Sequence, residues 1–328
     1  MSFFKLNREK MLNDTIERLK GVGTNEVNLD GYSPLVCKIP IGLCNGKVFD
    51  LTFGSDGSAC ASYMITGDRA STKSILDAII INGCLKYTPG ELSFRLYDVE
   101  SGGMLEPYEE ARLPHIARIG SCLCENEAIH ELSRLYNVVK KREELFKELS
   151  SKCGNEISNI YEYNKYARTQ EKGAFKHKKR IIVVLNGMKK ILNSPRIDER
   201  YATQLCRLVE DIAKKGTSLG VHLILTSTGF TNDGFDLMLK STYVEGIDGI
   251  ITFTQGQKEP RVLGFGKSFA KRIREITKME PRQALITTDG KNISKVDIAI
   301  LTPIEEYIER ISDSTFFFAE NTEKLSKK

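Results

Sequence analysis

The sequence predicts an α/β protein built on one parallel-dominated central sheet with helices on both faces. Three observations carry that expectation. Short apolar runs alternate with stretches of helical periodicity along most of the chain, the pattern of a parallel sheet covered by helices. Two of the runs, "RIIVVLNG" (180–187) and "GVHLILTST" (220–228), are apolar at consecutive positions, as strands buried on both faces are. A third, "ACASYMIT" (59–66), leads straight into "GDRASTKS" (67–74), which has the frame of a phosphate-binding loop: a glycine, five residues, then Lys-Ser.

The elements follow in order. Residues 4–20 have a partial apolar face in Met11, Ile16 and Leu19 and predict a helix, followed by a Gly/Asn-rich stretch (21–34). "PLVCKIPIGL" (34–43) and "KVFDLTF" (47–53) are strand-like. After the loop at Gly67, "KSILDAIIINGCL" (73–85) predicts a helix closed by Gly83, and "ELSFRLYD" (91–98) a strand ending at Asp98. Residues 125–150 place Ile129, Leu132, Tyr136, Val139, Phe146 and Leu149 at helical spacing on one face. Tyr201, Leu205, Leu208 and Ile212 mark another helix, capped near Gly216. "GIITF" (249–253), "RQALITT" (282–288) and "KVDIAIL" (295–301) are later strands. "TPIEEYIERI" (302–311) is a closing helix with Thr302 as N-cap and Pro303 at its first position. The organisation expected is an N-terminal helix and linker (1–37), one α/β domain (38–312) and a flexible polar tail (313–328).

Bulk properties exclude more than they assign. A chain of 328 residues with 41% hydrophobic and 28% charged residues buries a sizeable core. The formal charge of +5 permits an anionic partner without demanding one. No apolar run reaches the length of a membrane span, and "MSFFKLNREK" has no apolar signal region, so a cytoplasmic protein without direct membrane insertion is expected. The eight cysteines (37, 44, 60, 84, 122, 124, 153, 206) contain no CxxC pair, which points to reduced thiols and to no metal site.

The remaining chemistry-bearing residues have plain structural readings. His115 in "LPHI" fits a packed loop, and His222 opens a buried strand. Asp98 and Glu100, before Gly102-Gly103, fit a polar turn at a strand end. The basic run "KGAFKHKKR" (172–180) fits a solvated loop better than a DNA contact, because acidic segments interrupt any basic face. "STFFFAE" (314–320) fits a segment that docks on this domain or on a neighbouring subunit.

In this order the segments resemble the motor domain of the FtsK/SpoIIIE family, RecA-like P-loop ATPases that pump DNA, with relatives in conjugation and EssC-like type VII secretion. "IPIGLCNGKVFDLTF" is similar to the lead into the family's first core strand, and "GDRASTKS" holds the Walker A position. "FRLYDVESGGMLEPYEEARLPHI" resembles the family's strand, Asp-Lys-Gly turn and Leu-Pro-His marker. "KKREELF" falls on its arginine-containing helix, "IAKKGTSLGVHLILTST" on its Gly-Arg segment and sensor strand, and "PRQALITTDGKNISKVDIAILTPIEEYIERI" on its closing strands and helix. The resemblance implies a RecA-like P-loop NTPase core over roughly 38–310.

The departures fall on the reactive positions. A Walker A loop cradles phosphate in backbone N–H groups, with its lysine on the phosphates and its hydroxyl on Mg²⁺. Gly67, Asp68, Arg69, Ala70, Ser71, Thr72, Lys73 and Ser74 occupy that loop; Thr72 stands where a glycine is wanted, and Asp68 adds negative charge partly offset by Arg69. The Walker B strand of the family ends in a metal carboxylate and a water-activating glutamate; here Asn186 and Gly187 stand there. Thr217 replaces the family's arginine and Thr228 its sensor glutamine. The resemblance then implies a vestigial nucleotide site, with no cofactor or weak ATP/Mg, and no catalytic or metal residues. It implies a pseudo-ATPase acting as a structural or regulatory subunit of a DNA-translocation or type VII-like secretion machine. Such a module sits in a ring or hetero-oligomer with an active FtsK/SpoIIIE-type motor, peripheral to a membrane-anchored machine, with DNA or a secreted protein as cargo. The alternatives are an active ATP-dependent DNA translocase, drawing carboxylates from Asp98 or a neighbour, and a nucleotide-gated substrate-binding module.

Overall fold

The computed structural model describes residues 36–54, 62–100, 103–111, 113–121, 123–154, 156–170, 175–192, 194, 199–227, 247–253, 282–288, 292–301, 303–309 and 311. The expected helix over 4–20, the Thr302 cap, Thr228 and the tail from 313 lie outside these residues.

Strands β1 (Val36–Cys44), β2 (Lys47–Gly54), β3 (Tyr63–Thr66), β4 (Leu92–Asp98), β5 (Ile116–Gly120), β6 (Arg180–Asn186), β7 (Val221–Ser227), β8 (Gly249–Thr252), β9 (Gln283–Thr287) and β10 (Ile293–Ile298) join in one sheet. Its order is β2-β1-β10-β9-β8-β3-β7-β6-β4-β5. From β8 to β5 every neighbouring pair is parallel, as the alternating sequence pattern requires. From β2 to β8 every pair is antiparallel, an arrangement the pattern did not foretell. β1 and β2 form a hairpin whose turn places Asn45 and Gly46 at positive φ.

Two cores flank the sheet because consecutive strand residues point to opposite faces. Along β6, Ile182 and Val184 enter one core while Ile181, Val183 and Leu185 enter the other, so the strand is buried throughout. Helices α1 (Arg69–Lys86) and α2 (Glu106–Glu110) and the helical residues 304–309 cover the first face. Helices α3 (Glu125–Cys153), α4 (Ile160–Thr169), α5 (Met188–Leu192) and α6 (Glu199–Gly216) cover the second.

Several expectations shift in detail. Strand β5 and helices α2, α4 and α5 were not foreseen. Gly83 does not close α1, which continues to Lys86. It is instead a close-packing position: a Cβ there would stand 2.7 Å from Phe94 Cζ. In α6 the buried stripe is Leu205, Val209, Ile212 and Ala213, while Tyr201, expected inside, is half exposed.

The loop histidine His115 and the strand histidine His222 are both buried, as expected. His222 Nε2 lies 2.7 Å from Arg180 Nη1. His115 is fully buried with Nε2 at 2.7 Å from the Tyr87 carbonyl oxygen, and burial pulls its pKa down to about 4. An unfolded imidazole takes its proton near pH 6.5. Between these values the unfolded chain binds the proton that the fold refuses, so this group's contribution lowers stability as pH drops from 6.5 towards 4. Urea unfolding at pH 7 and pH 4.5 is expected to show a smaller pH dependence in His115→Gln than in the unsubstituted protein. An unchanged dependence would remove His115 from the account.

Candidate functional site

The parallel strands deliver their C-terminal ends to one edge of the sheet, the place where α/β folds assemble sites. Gly67 follows β3, Asp98 ends β4, Asn186 ends β6, and Thr226 is the penultimate residue of β7. The structure therefore places the loop 67–74, Asn186 and Gly187 at that edge. It does not bring Thr217 to them. Thr217 follows α6 and precedes β7, at the opposite ends of the strands, where its hydroxyl donates to the Ala213 carbonyl at 3.0 Å.

Around the loop the main departure is where the helix begins. It starts at Arg69, four residues before the lysine, and so winds the middle of the phosphate-loop frame into its first turn. Asp68 is its N-cap. The Asp68 carboxylate accepts from the Ser71 amide at 3.0 Å and the Ser71 hydroxyl at 2.6 Å, and the Asp68 carbonyl accepts from the Thr72 amide at 2.9 Å. Burial opposes ionisation of Asp68, but the Ser71 bonds together with the Ala70 and Asp68 amides outweigh it and hold the carboxyl below its ordinary range. Amides that would face an anion in an open loop are thus spent on the chain itself. Gly67 keeps its role of close approach, because a Cβ would stand 2.9 Å from Phe253 Cδ2.

The polar side chains of the frame turn down the helix. Lys73 Nζ donates to Asp77 Oδ2 at 2.6 Å, and Asp77 Oδ1 accepts from the Tyr108 hydroxyl at 2.8 Å. Burial pushes the Asp77 carboxyl up, while Lys73 and Tyr108 pull it back. The Ser74 hydroxyl donates to the Ala70 carbonyl at 2.9 Å. Thr72 is fully buried, with a hydroxyl that has no hydrogen-bond partner among the described residues.

The strand ends form a second polar group, of which Thr226 alone escaped sequence reasoning. Asn186 Nδ2 donates to Asp98 Oδ1 at 2.7 Å, and Asn186 Oδ1 accepts from the Thr226 hydroxyl, whose oxygen also accepts from the Gly187 amide at 3.3 Å. Asp98 Oδ1 also accepts from the Glu100 amide at 3.0 Å, the polar turn expected at this strand end. Burial raises the Asp98 carboxyl, opposed by Asn186, the Glu100 and Met104 amides, and the charge of Arg69. Asn186 is therefore a neutral bridge across β4, β6 and β7 and not a metal carboxylate. Gly187 has φ +90°, and a Cβ on it would meet Glu100 Cγ at 2.5 Å, so the Glu100 side chain covers the place where a residue 187 side chain would start. Among the described residues no group of three or more His, Cys, Asp or Glu side chains is placed to hold a metal ion.

The groups that a Mg-nucleotide of this fold class would use are engaged within the chain. The loop's first turn is closed by its own carboxylate, Lys73 is paired, and the metal position offers Ser74, bonded to Ala70, and a neutral amide. The arginine of "KKREELF" is also far from the site. Arg142 is buried on α3 and donates to the Leu219 and Lys179 carbonyls at 2.6 and 2.9 Å, beside the N-terminal ends of β7 and β6. The described part of the basic run is pinned there too, with the Lys178 amide donating to Asn164 Oδ1 at 2.8 Å.

Neither a family model nor a curated protein matches the chain. Solved structures do match. The chain is similar to the cytoplasmic domain of the type VII secretion ATPase EccC from Thermomonospora curvata, with TM-score 0.63 and 18% identity over 84% of this chain and 31% of that one. It is similar to EssC (ATPases 2 and 3) from Geobacillus thermodenitrificans, with TM-score 0.61 and 18% identity over 88% of this chain and 49% of that one. The conjugation coupling protein TcpA of pCW3 gives TM-score 0.61 and 15% identity over 88% of this chain and 73% of that one. The chain thus spans 31% and 49% of the two secretion ATPase structures. Its fold is that of these solved structures, a RecA-like P-loop NTPase core with a large, mostly parallel central sheet. At identities of 15–18% the likeness is one of fold, and the site has to be judged on its own residues. No helix among the described residues is long and apolar enough to cross a membrane.

Proposed function

We propose that this chain is a motor-fold module without turnover, a structural or regulatory subunit of a type VII-like secretion or DNA-translocation machine. In that reading it assembles in a ring or hetero-oligomer with an active FtsK/SpoIIIE-type motor, and holds ATP weakly or not at all. The observation that carries the reading is the state of the loop. Lys73 is held on Asp77 and α1 is capped by Asp68 four residues early, so the groups that would stabilise a transferring phosphoryl are engaged elsewhere. Phosphoryl transfer depends almost wholly on positioning and charge stabilisation, and each missing preorganised group costs on the order of 10²–10³ in rate.

The experiment is a steady-state ATPase assay with and without duplex DNA. Activity at background in both conditions is expected. DNA-stimulated hydrolysis that vanishes in Lys73→Ala would replace this reading with the second one, a working translocase. One observation favours that rival: Asp98 and Glu100 place carboxylates at the strand ends beside Asn186 and Gly187.

A further inference from the structure

Asp68 and Asp77 stand on the two sets of donors that a polyphosphate would use, the amide end of α1 and the Lys73 ammonium. Either contact alone is ordinary helix chemistry: an N-cap, and an ion pair one turn apart. Their meaning comes from occurring together inside one phosphate-loop frame. A loop that had simply eroded would have no reason to keep its lysine, and none to hold that lysine on a buried acid. Here the lysine remains, and its partner Asp77 is 6% exposed. Asp77 is faced by Lys73 from its own helix, by Tyr108 from α2 and by the charge of Glu305 from the closing helical segment. Moving Lys73 away would leave that carboxylate buried beside a second negative charge with one hydrogen bond. An unpaired buried charge is costly.

We infer that the phosphate loop of this chain is shut by two built-in anions: Asp68 stands in for a phosphate at the helix start, and Asp77 stands in for a phosphate on Lys73. The site is self-occupied. This deepens the proposed absence of turnover and rests on the same loop, but it makes a claim about binding that the ATPase assay does not touch. Each carboxylate blocks a different donor set, so an incoming anion has to displace both.

The test removes both blocks and reads binding. Asp68→Gly leaves a residue that helix starts tolerate with little loss and that carries no carboxylate. Asp77→Asn keeps an oxygen for the Tyr108 hydroxyl while releasing Lys73. Melting curves and calorimetric titration with ATP, with and without Mg²⁺, are run on the unsubstituted protein, on the double variant, and on the double variant carrying Lys73→Ala. AMP is the control ligand without β- and γ-phosphates. The double variant is expected to bind ATP at least about ten-fold more tightly than the unsubstituted protein, the equivalent of regaining one charge-assisted bond. AMP is expected to gain nothing, and Lys73→Ala to abolish the gain. If Asp68→Gly loosens α1, seen by circular dichroism, Asp68→Ser keeps a neutral cap in its place. A folded double variant that binds ATP no better than the unsubstituted protein overturns the inference, and so does tight ATP binding by the unsubstituted protein. Hydrolysis by the unsubstituted protein would instead sink the non-hydrolysing reading, so the two failures are told apart by their readouts, binding for the first and turnover for the second.

Discussion

Replacing Gly187 by glutamate is expected to destabilise the fold by about 2–5 kcal/mol, not to restore a water-activating group. Two costs combine. A non-glycine residue at φ +90° is strained, and its Cβ would start 2.5 Å from Glu100 Cγ and 3.0 Å from the Glu100 amide. Equilibrium urea unfolding measures the sum, and Glu100→Ala divides it. In the Glu100→Ala background the Gly187→Glu substitution should cost less, because the side-chain part of the clash is gone while the backbone strain and the amide contact stay. Rebuilding both strand-end carboxylates as Asn186→Asp with Gly187→Glu is expected to give a weakened protein with background ATPase activity. A double variant that is as stable as the parent and hydrolyses ATP would contradict this account.

Arg142→Met should be comparably severe, at about 3–5 kcal/mol. The guanidinium is buried with no carboxylate partner among the described residues and spends its donors on the Leu219 and Lys179 carbonyls, tying the middle of α3 to the starts of two central strands. Burial lowers its pKa to about 10, and the nearby Arg180 and Arg95 charges add to the effect, but it stays charged at neutral pH. Methionine keeps an unbranched apolar stem, stops short of the guanidinium, and leaves both carbonyls without their donor. Lysine offers a point charge without the fork and is expected to recover only part of the loss. A loss below about 1 kcal/mol in Arg142→Met would show that the two bonds matter less than their burial implies.

β6 and β7 were legible in the sequence because consecutive apolar residues have one structural meaning when both faces are buried. The long α3 was legible because its stripe spans many turns. The antiparallel half of the sheet was hidden because pairing between Gly42 and Ile298 leaves no local mark. At the site, the Lys-Ser pair set the expected start of α1, and the motif outweighed a local signal that was present. Asp68 with Ser71 three positions on is an N-cap pattern, and Lys73 with Asp77 is an ion pair at helical spacing. The cover of Gly187 by Glu100 had no signal in sequence at all, since the two residues meet only after β4 and β6 have paired. Gly83 misled for a different reason: glycine serves both helix ends and tight packing, and only the Phe94 ring tells which.

The seating of β1 between β2 and β10 has a consequence for how the chain is made. The parallel strands β3, β4, β5, β6 and β7 can pair with one another once β7 has been synthesised, but the inner edge of β1 has no neighbour until β10 arrives. Through that interval the β1–β2 hairpin presents an open ladder whose residues Ile39, Ile41, Leu51 and Phe53 are destined for the core. Such an edge invites pairing with the wrong chain. Nascent chains stopped before residue 293 are therefore expected to be the aggregation-prone species, and β10, the last made of the described strands, is the one that removes the hazard.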